Sequence, residues 1–399
     1  MNREGRNRLA VHEGIPVRPP DKRWPAWPVF GEPERQALNA VLESGKWWYG
    51  EQVAAFEAAY AAFQGADYCV SCTSGTTAIE IALEALGVGA DDEVIVPPYT
   101  FIATASAVAR VGATPVFVDV DASWCMDPER IHDAITPRTK VVMPVHFGGR
   151  CCDMDRINAV ARMNGLTVIE DACHSWGARW RDQGAGTLGL AGVFSFQMSK
   201  NITAGEGGAI VTNDEDFADT CRSLTNCGRS KGGRWYAHSR AGTNARLTEF
   251  QGALLHAQLS RLEAQTQVRE RNASLLNDAL GRIEGLIPQP GDERITRRSY
   301  HLYCLRIDPG RFGCSRSAFV AAAEAEGLPI GEGYAVPLYE QPVFRDGDAP
   351  CVHHPCPVAE DLCYRSGMWL PHQILLGSED DMGDIIAIVQ KLKARAGEL

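Results

Sequence analysis

Ser195-Phe196-Gln197-Met198-Ser199-Lys200-Asn201-Ile202-Thr203-Ala204-Gly205-Glu206-Gly207-Gly208 sets one lysine between a short apolar strand and a glycine-rich turn. A free lysine amine titrates near ~10.4 and is a poor nucleophile at neutral pH, but partial desolvation beside other cations or dipoles makes it available. Phe194, Phe196 and Met198 are expected to supply apolar flanks for Lys200. A lysine at a strand end ordinarily points into water. Its reading therefore depends on the chain upstream.

Two upstream stretches change that reading. Ser74-Gly75-Thr76-Thr77 stands between a strand and a helix start, where free backbone amides and hydroxyls make a phosphate site. Ser and Thr beside Gly are also ordinary capping residues. Glu170-Asp171-Ala172-Cys173-His174-Ser175-Trp176-Gly177 directly follows an apolar strand, so Asp171 falls where a parallel sheet presents its functional groups. An aspartate capping the next turn is the structural alternative.

Outward from these stretches the chain alternates. Strands are expected at Tyr68 to Ser71, Glu93 to Val96, Pro115 to Val120, Val141 to Val145 and Leu166 to Ile169. Helices are expected between them at Gly75 to Leu86, Ile102 to Val111, Pro128 to Ile135 and Met154 to Met163. That order predicts an α/β fold with a mostly parallel central sheet covered by helices on both faces. Val193 to Phe196 and Ala209 to Thr212 add strands on either side of the Lys200 turn. Before the sheet, helical spacing runs from Glu32 to Ser44 and from Val53 to Phe63. The intervening Trp47-Trp48-Tyr49-Gly50 reads as a packing corner or a pocket wall.

A helix from Leu247 through Ala264 to Leu280 leads to a smaller C-terminal α/β unit, with a strand at Ser299 to Ile307 and helices at Arg316 to Glu326 and Asp380 to Ala396. The expected division is an Arg- and Pro-rich surface arm over 1–30, a large domain over 31–264 and a small domain over 265–399.

Composition narrows the task. With 399 residues, 45% hydrophobic and 22% charged, the chain is an ordinary globular protein. Its net charge of -11 opposes nonspecific nucleic-acid binding, which needs a basic patch. No apolar run reaches about 18 residues, and the charged Met1 to Arg8 leads into no apolar stretch, so neither membrane spanning nor secretion is expected. Thirteen scattered cysteines suit free thiols in a reducing cytoplasm. Cys351-Val352-His353-His354-Pro355-Cys356 contains zinc-type ligands but no matching second cluster, and no metal site is expected. Gly184-Ala185-Gly186-Thr187-Leu188-Gly189 formally satisfies the dinucleotide pattern. It follows polar residues and leads into a strand, the wrong context, and reads as a turn.

A strand-end aspartate, a phosphate-binding helix start and an imine-capable lysine are the parts that pyridoxal 5'-phosphate requires. Asp171 would keep the ring nitrogen protonated, and Lys200 would form the internal aldimine and later shuttle the proton.

The chain resembles the DegT/StrS family of sugar and aminocyclitol aminotransferases, members of pyridoxal-phosphate fold type I. The residues that carry the likeness are Gly75-Thr76 with Ala78, Pro97 to Thr104, Phe117 to Asp121, Glu170-Asp171, Phe194 to Lys200, Gly205 to Gly208 and Gly242 to Leu247. The resemblance implies phosphate contacts from Gly75, Thr76 and Ser195, stacking of Phe101 on the pyridine ring, pairing of Asp171 with its nitrogen and contact of His174 with its phenolic oxygen. It also implies a cytoplasmic homodimer with shared active sites, in which Asn244 reaches the phosphate of the partner subunit. The implied reaction moves an amino group from glutamate or glutamine to a keto-sugar or keto-cyclitol.

Gly333 to Tyr339 and Met368 to Gly377 are similar to the branch containing glutamine:scyllo-inosose aminotransferases and 3-amino-5-hydroxybenzoate synthases. Tyr49, Tyr334, Tyr339 and His372 are the expected substrate contacts, with packing of the small domain as the alternative for the last three. Three other readings stand beside amino transfer: a synthase of the aminohydroxybenzoate type, a sugar dehydratase and a catalytically silent regulatory protein that binds the cofactor. The retained Lys200 favours amino transfer, because some relatives without the lysine are dehydratases.

Overall fold

The computed structural model describes residues 8–399 apart from Trp235, so the first seven residues of the expected arm lie outside the described residues. Among the described residues, fourteen strands run in chain order. They are β1 (Tyr68–Cys72), β2 (Glu93–Val96), β3 (Thr114–Phe117), β4 (Thr139–Val142), β5 (Thr167–Asp171), β6 (Arg179–Trp180) and β7 (Gln183–Gly184). The rest are β8 (Ala191–Ser195), β9 (Gly208–Thr212), β10 (Leu286–Pro288), β11 (Ile295–Arg297), β12 (Leu302–Ile307), β13 (Val352–His353) and β14 (Gly367–Pro371).

Eight of them form the central sheet in the order β1-β9-β8-β5-β4-β2-β3-β13. β9 is antiparallel to both its neighbours, and the other pairs are parallel. Apart from the exposed edge pair β13, its strands are buried along most of their length, as helical cover on both faces requires. The topology thus matches the expected mostly parallel sheet. β10, β12 and β14 form a small antiparallel sheet with its own core around Phe319, Leu305 and Ile385.

Helix ends explain how the site is presented. Ser74 is extended and its hydroxyl accepts from the Thr77 amide at 3.1 Å, which starts the helix Gly75–Ala85 immediately beyond β1. The helix Glu51–Gln64 takes its cap from far away. Glu249 accepts from the amides of Gly50, Gln52 and Val53, each at 2.9 Å, placing a carboxylate at a helix N-terminus. Glu249 itself opens the helix Glu249–Leu280, which runs unbroken through the expected boundary at 264/265.

Three features escape the local sequence pattern. The helix Glu215–Thr225 begins at Asp214, whose carboxylate accepts from the Phe217 amide at 2.8 Å. The pair Val352–His353 joins the edge of the central sheet beside β3, so this part of the Cys351 to Cys356 stretch is a strand. The described part of the arm is anchored rather than merely laid on the surface: Leu9 is buried in the C-terminal core, and the buried Arg18 pairs with Asp381 and Asp384, each at 2.7 Å. Among the described residues, no helix is long and apolar enough to cross a membrane.

Candidate active site

Beyond the carboxyl ends of β5 and β8 lies a cavity of about 480 Å³, where an open parallel sheet leaves a crevice. Gly75, Thr76, Phe101, Asp171, His174, Ser195 and Lys200 all line it, although they come from positions spread over more than a hundred residues. The expected cofactor contacts are therefore brought together, with Asn244 as the exception.

Lys200 sits in a turn closed by its own amide, which donates to the Gln197 carbonyl at 2.9 Å. The Gln197 side-chain oxygen accepts from the Ser199 amide and hydroxyl, both at 2.8 Å, and so stiffens the approach. Burial lowers the proton affinity of Lys200, while Cys173 and Asp171 oppose that shift. Its aromatic neighbour is Trp176, with the ring centroid 5.9 Å from Nζ. Of the expected flanks, Phe194 and Phe196 pack with Phe56, Tyr60 and this same Trp176 in one core cluster, whereas Met198, beyond the end of β8, is exposed.

Asp171 is buried and held by two donors. Thr104 Oγ1 donates to Oδ2 at 2.7 Å and the Cys173 amide donates to Oδ1 at 3.1 Å. Thr104 holds this carboxylate although the sequence pattern assigns it no role, and it lies in the quoted stretch Pro97 to Thr104. His174 is buried, and burial followed by the charge of Lys200 holds its imidazole well below the ordinary range. The Gly148 amide donates to His174 Nδ1 at 3.3 Å, which puts the proton of the neutral ring on Nε2.

The cradle at the helix start depends on missing side chains. A Cβ on Gly75 would lie 2.7 Å from Ser195 Cβ, and one on Gly208 would collide with the Ser74 carbonyl. Bare backbone lets the helix N-terminus approach β8 and β9, so the first-turn amides and the Ser195 hydroxyl face one space. Among the described residues lining the cavity, Lys200 is the one Lys or Arg. A buried carboxylate, a lysine with lowered proton affinity and a helix N-terminus around one cavity fit pyridoxal phosphate, whose phosphate Gly75, Thr76 and Ser195 would hold; Phe101, 57% exposed, also lines the cavity.

The remaining expected residues fall outside this cavity. Asn244 is exposed and its backbone bridges to Asn226, beside a second cavity of about 230 Å³. Tyr49 lines that second cavity and donates to Glu57 at 2.9 Å. Tyr334 packs edge-on against Tyr99 and Trp369, at centroid distances of 5.3 and 5.1 Å, and its ionisation is pushed up by burial and by Asp171. Tyr339 donates to Glu360 at 2.8 Å and stacks on His353 at 4.5 Å. His372 is buried behind the lysine turn, bonded to Arg269 and to the Ser199 carbonyl. The G-x-G-x-x-G stretch wraps a carboxylate of its own chain: Glu170 accepts from the amides of Gly186, Leu188 and Gly189 at 2.7, 2.7 and 2.6 Å.

Comparison with known proteins agrees with this geometry. The family model described as DegT/DnrJ/EryC1/StrS aminotransferase matches residues 28–390. A 3-amino-5-hydroxybenzoate synthase of Amycolatopsis mediterranei is 40% identical over 383 residues, covering 94% of this chain and 98% of that protein. An L-glutamine:2-deoxy-scyllo-inosose aminotransferase of Micromonospora echinospora is 39% identical over 419 residues, covering 98% of this chain and 99% of that protein. The crystal structure of a 3-amino-5-hydroxybenzoic acid synthase superposes with a TM-score of 0.87 at 38% identity, covering 94% of this chain and 99% of that one.

Proposed function

From the premise that this chain belongs to the DegT/DnrJ/EryC1/StrS aminotransferase family, and is a pyridoxal-phosphate-dependent enzyme of fold type I, we propose that it moves an amino group from glutamine to a keto-cyclitol. The observation that carries the reading is the convergence of Lys200, Asp171 and the Gly75 helix start on one cavity. The relatives named as glutamine:scyllo-inosose aminotransferases support the choice of donor and acceptor. We further propose a cytoplasmic homodimer with shared sites, a cofactor-binding unit over 31–264 and a smaller unit over 265–399.

Pyridoxal phosphate, when bound, supplies a conjugated ring that spreads the charge left when the donor carbon loses its proton. The chain does the rest. The Asp171 carboxylate, oriented by Thr104 and the Cys173 amide, would hold a proton at the ring nitrogen. The amides of Gly75 and Thr76 with the Ser195 hydroxyl would fix the phosphate. Lys200 Nζ would hold the cofactor covalently and would be the group that accepts and returns the donor's proton. Its lowered proton affinity suits that exchange. His174 Nε2 would donate toward the phenolic oxygen, and Phe101 would cover the ring face.

A half-reaction tests the reading. Holoenzyme mixed with L-glutamine should lose its visible absorbance, and 2-deoxy-scyllo-inosose should restore it and gain an amine. No spectral change with any amino donor would sink the proposal in favour of the silent regulatory reading. A second reading, 3-amino-5-hydroxybenzoate formation, is favoured by the 40% identity to a synthase of that compound, and product analysis separates the two.

A further inference from the structure

The amino donor brings an α-carboxylate, yet among the described residues the Lys200 cavity is lined by Asp171 and Glu206 and by a single Lys or Arg, Lys200, which would be committed to the cofactor. The cation that holds the donor must then come from outside this set. The second cavity, about 230 Å³, offers one. Among its walls Arg222 is already paired with Glu57 at 2.9 Å, and Lys231 faces Asp219 at 3.4 Å. Arg229 and Arg246 have no carboxylate within 4.0 Å among the described residues.

Each of these two guanidiniums has a buried Nε without an acceptor, and Arg246 is fixed otherwise by Asn226 Oδ1, which accepts from Nη1 at 3.0 Å. Ser223, also in the wall and 2% exposed, has a hydroxyl without a partner. A buried hydroxyl and two uncompensated guanidiniums around one space are costly for an empty pocket and suited to a carboxylate. Trp48, 57% exposed, lies 5.4 Å from the Arg246 guanidinium and gives the cavity an aromatic rim.

We propose that Arg229 and Arg246 of one subunit bind the α-carboxylate of the amino donor held in the Lys200 cavity of the other. The inference rests on the shared-site homodimer proposed above, in which Asn244, two residues before Arg246, crosses to the partner's cofactor. The cavity that is poor in cations and the cavity that has two to spare thereby complete one another.

The test uses holoenzyme, L-glutamine and its α-amide, L-glutaminamide. In Arg229→Gln and Arg246→Gln the KM for glutamine should rise about tenfold or more, the loss of a charge-assisted bond, while glutaminamide is used as by wild type. Arg246→Lys should recover part of the difference. α-Methyl-L-glutamine, which has no α-hydrogen to lose, should shift the holoenzyme spectrum at correspondingly higher concentration in both Gln variants. Equal effects on both donors, or none, would overturn the inference. Weakened cofactor retention with unchanged donor preference would assign the guanidiniums to the phosphate instead and equally overturn it. Mixed dimers of Lys200→Ala with the double Arg variant decide the subunit: a wild-type KM supports binding across the interface, and a raised KM refutes it. If wild type reacts with no donor, the functional reading itself fails; if it reacts and the variants do not discriminate, this inference alone fails.

Discussion

His372 Nε2 donates to the Ser199 carbonyl at 3.1 Å, one peptide before the lysine that the site is built around. A carbonyl only accepts and a guanidinium only donates, so Arg269 Nη2, 3.1 Å from Nδ1, fixes the imidazole as the neutral Nε2–H form. The indole of Trp27 donates to the preceding carbonyl, that of Met198, at 2.9 Å. The turn bearing Lys200 is therefore held from the small-domain side by His372 and from the arm by Trp27.

If that grip positions Lys200, His372→Leu should slow the glutamine half-reaction about tenfold with cofactor retention unchanged, because a loosened base loses rate rather than binding. His372→Gln, which can donate to Ser199 and accept from Arg269, should restore most of it. Single-turnover absorbance measures both, and equal rates in Leu and Gln variants would remove the positioning role.

Lys200→Ala should fold and yet give no borohydride-trappable adduct with the cofactor, since no other lysine lines the cavity among the described residues. Peptide mapping of the reduced wild-type protein should find the cofactor on the peptide containing Lys200. A different labelled lysine would displace this assignment.

The meeting of Lys200, Asp171 and Gly75 at one cavity is legible in the sequence because each stands where a strand gives way to a turn or helix. The contacts of His372 are not: its partners, Ser199 and Arg269, lie 173 and 103 residues away, so the sequence alone presents the ring as a substrate contact or core packing. Val352–His353 is too short and exposed to announce a strand, and it pairs only because β3 offers an open edge. Gly184 to Gly189 reads as a turn, but nothing local says that Glu170 occupies it. Lengths also drift: the helix expected from Pro128 to Ile135 narrows to 3-10 geometry after Ile131.

Asp171→Asn should keep the cofactor and slow the half-reaction by about a hundredfold or more, since an amide does not hold the ring nitrogen protonated. Thr104→Val removes one bond to that carboxylate and should cost about tenfold, the scale of a hydrogen bond to a charged group. Stopped-flow rates order the two; a Thr104→Val enzyme as fast as wild type would leave the carboxylate's orientation to the Cys173 amide alone.

His174, His301 and His372 form a buried row, with ring centroids 4.3 Å apart for the first pair and 5.7 Å for the second. Burial is the leading cause that holds each imidazole well below its ordinary value, with Lys200 adding to all three and Arg269 to the latter two. The folded protein therefore keeps these rings neutral at pH values where the unfolded chain, titrating near ~6.5, binds protons. Because the unfolded state binds more protons, stability is fully present above about pH 6.5 and falls as the pH drops from there toward the depressed folded values. Each ring adds up to about 1.4 kcal/mol per pH unit in that window. Urea unfolding at pH 7, 6 and 5 measures the slope. His301→Gln, which keeps a polar partner for Asn201, should reduce it by about that amount, and an unchanged slope would mean that His301 is already protonated in the folded protein or contributes nothing to the acid limb.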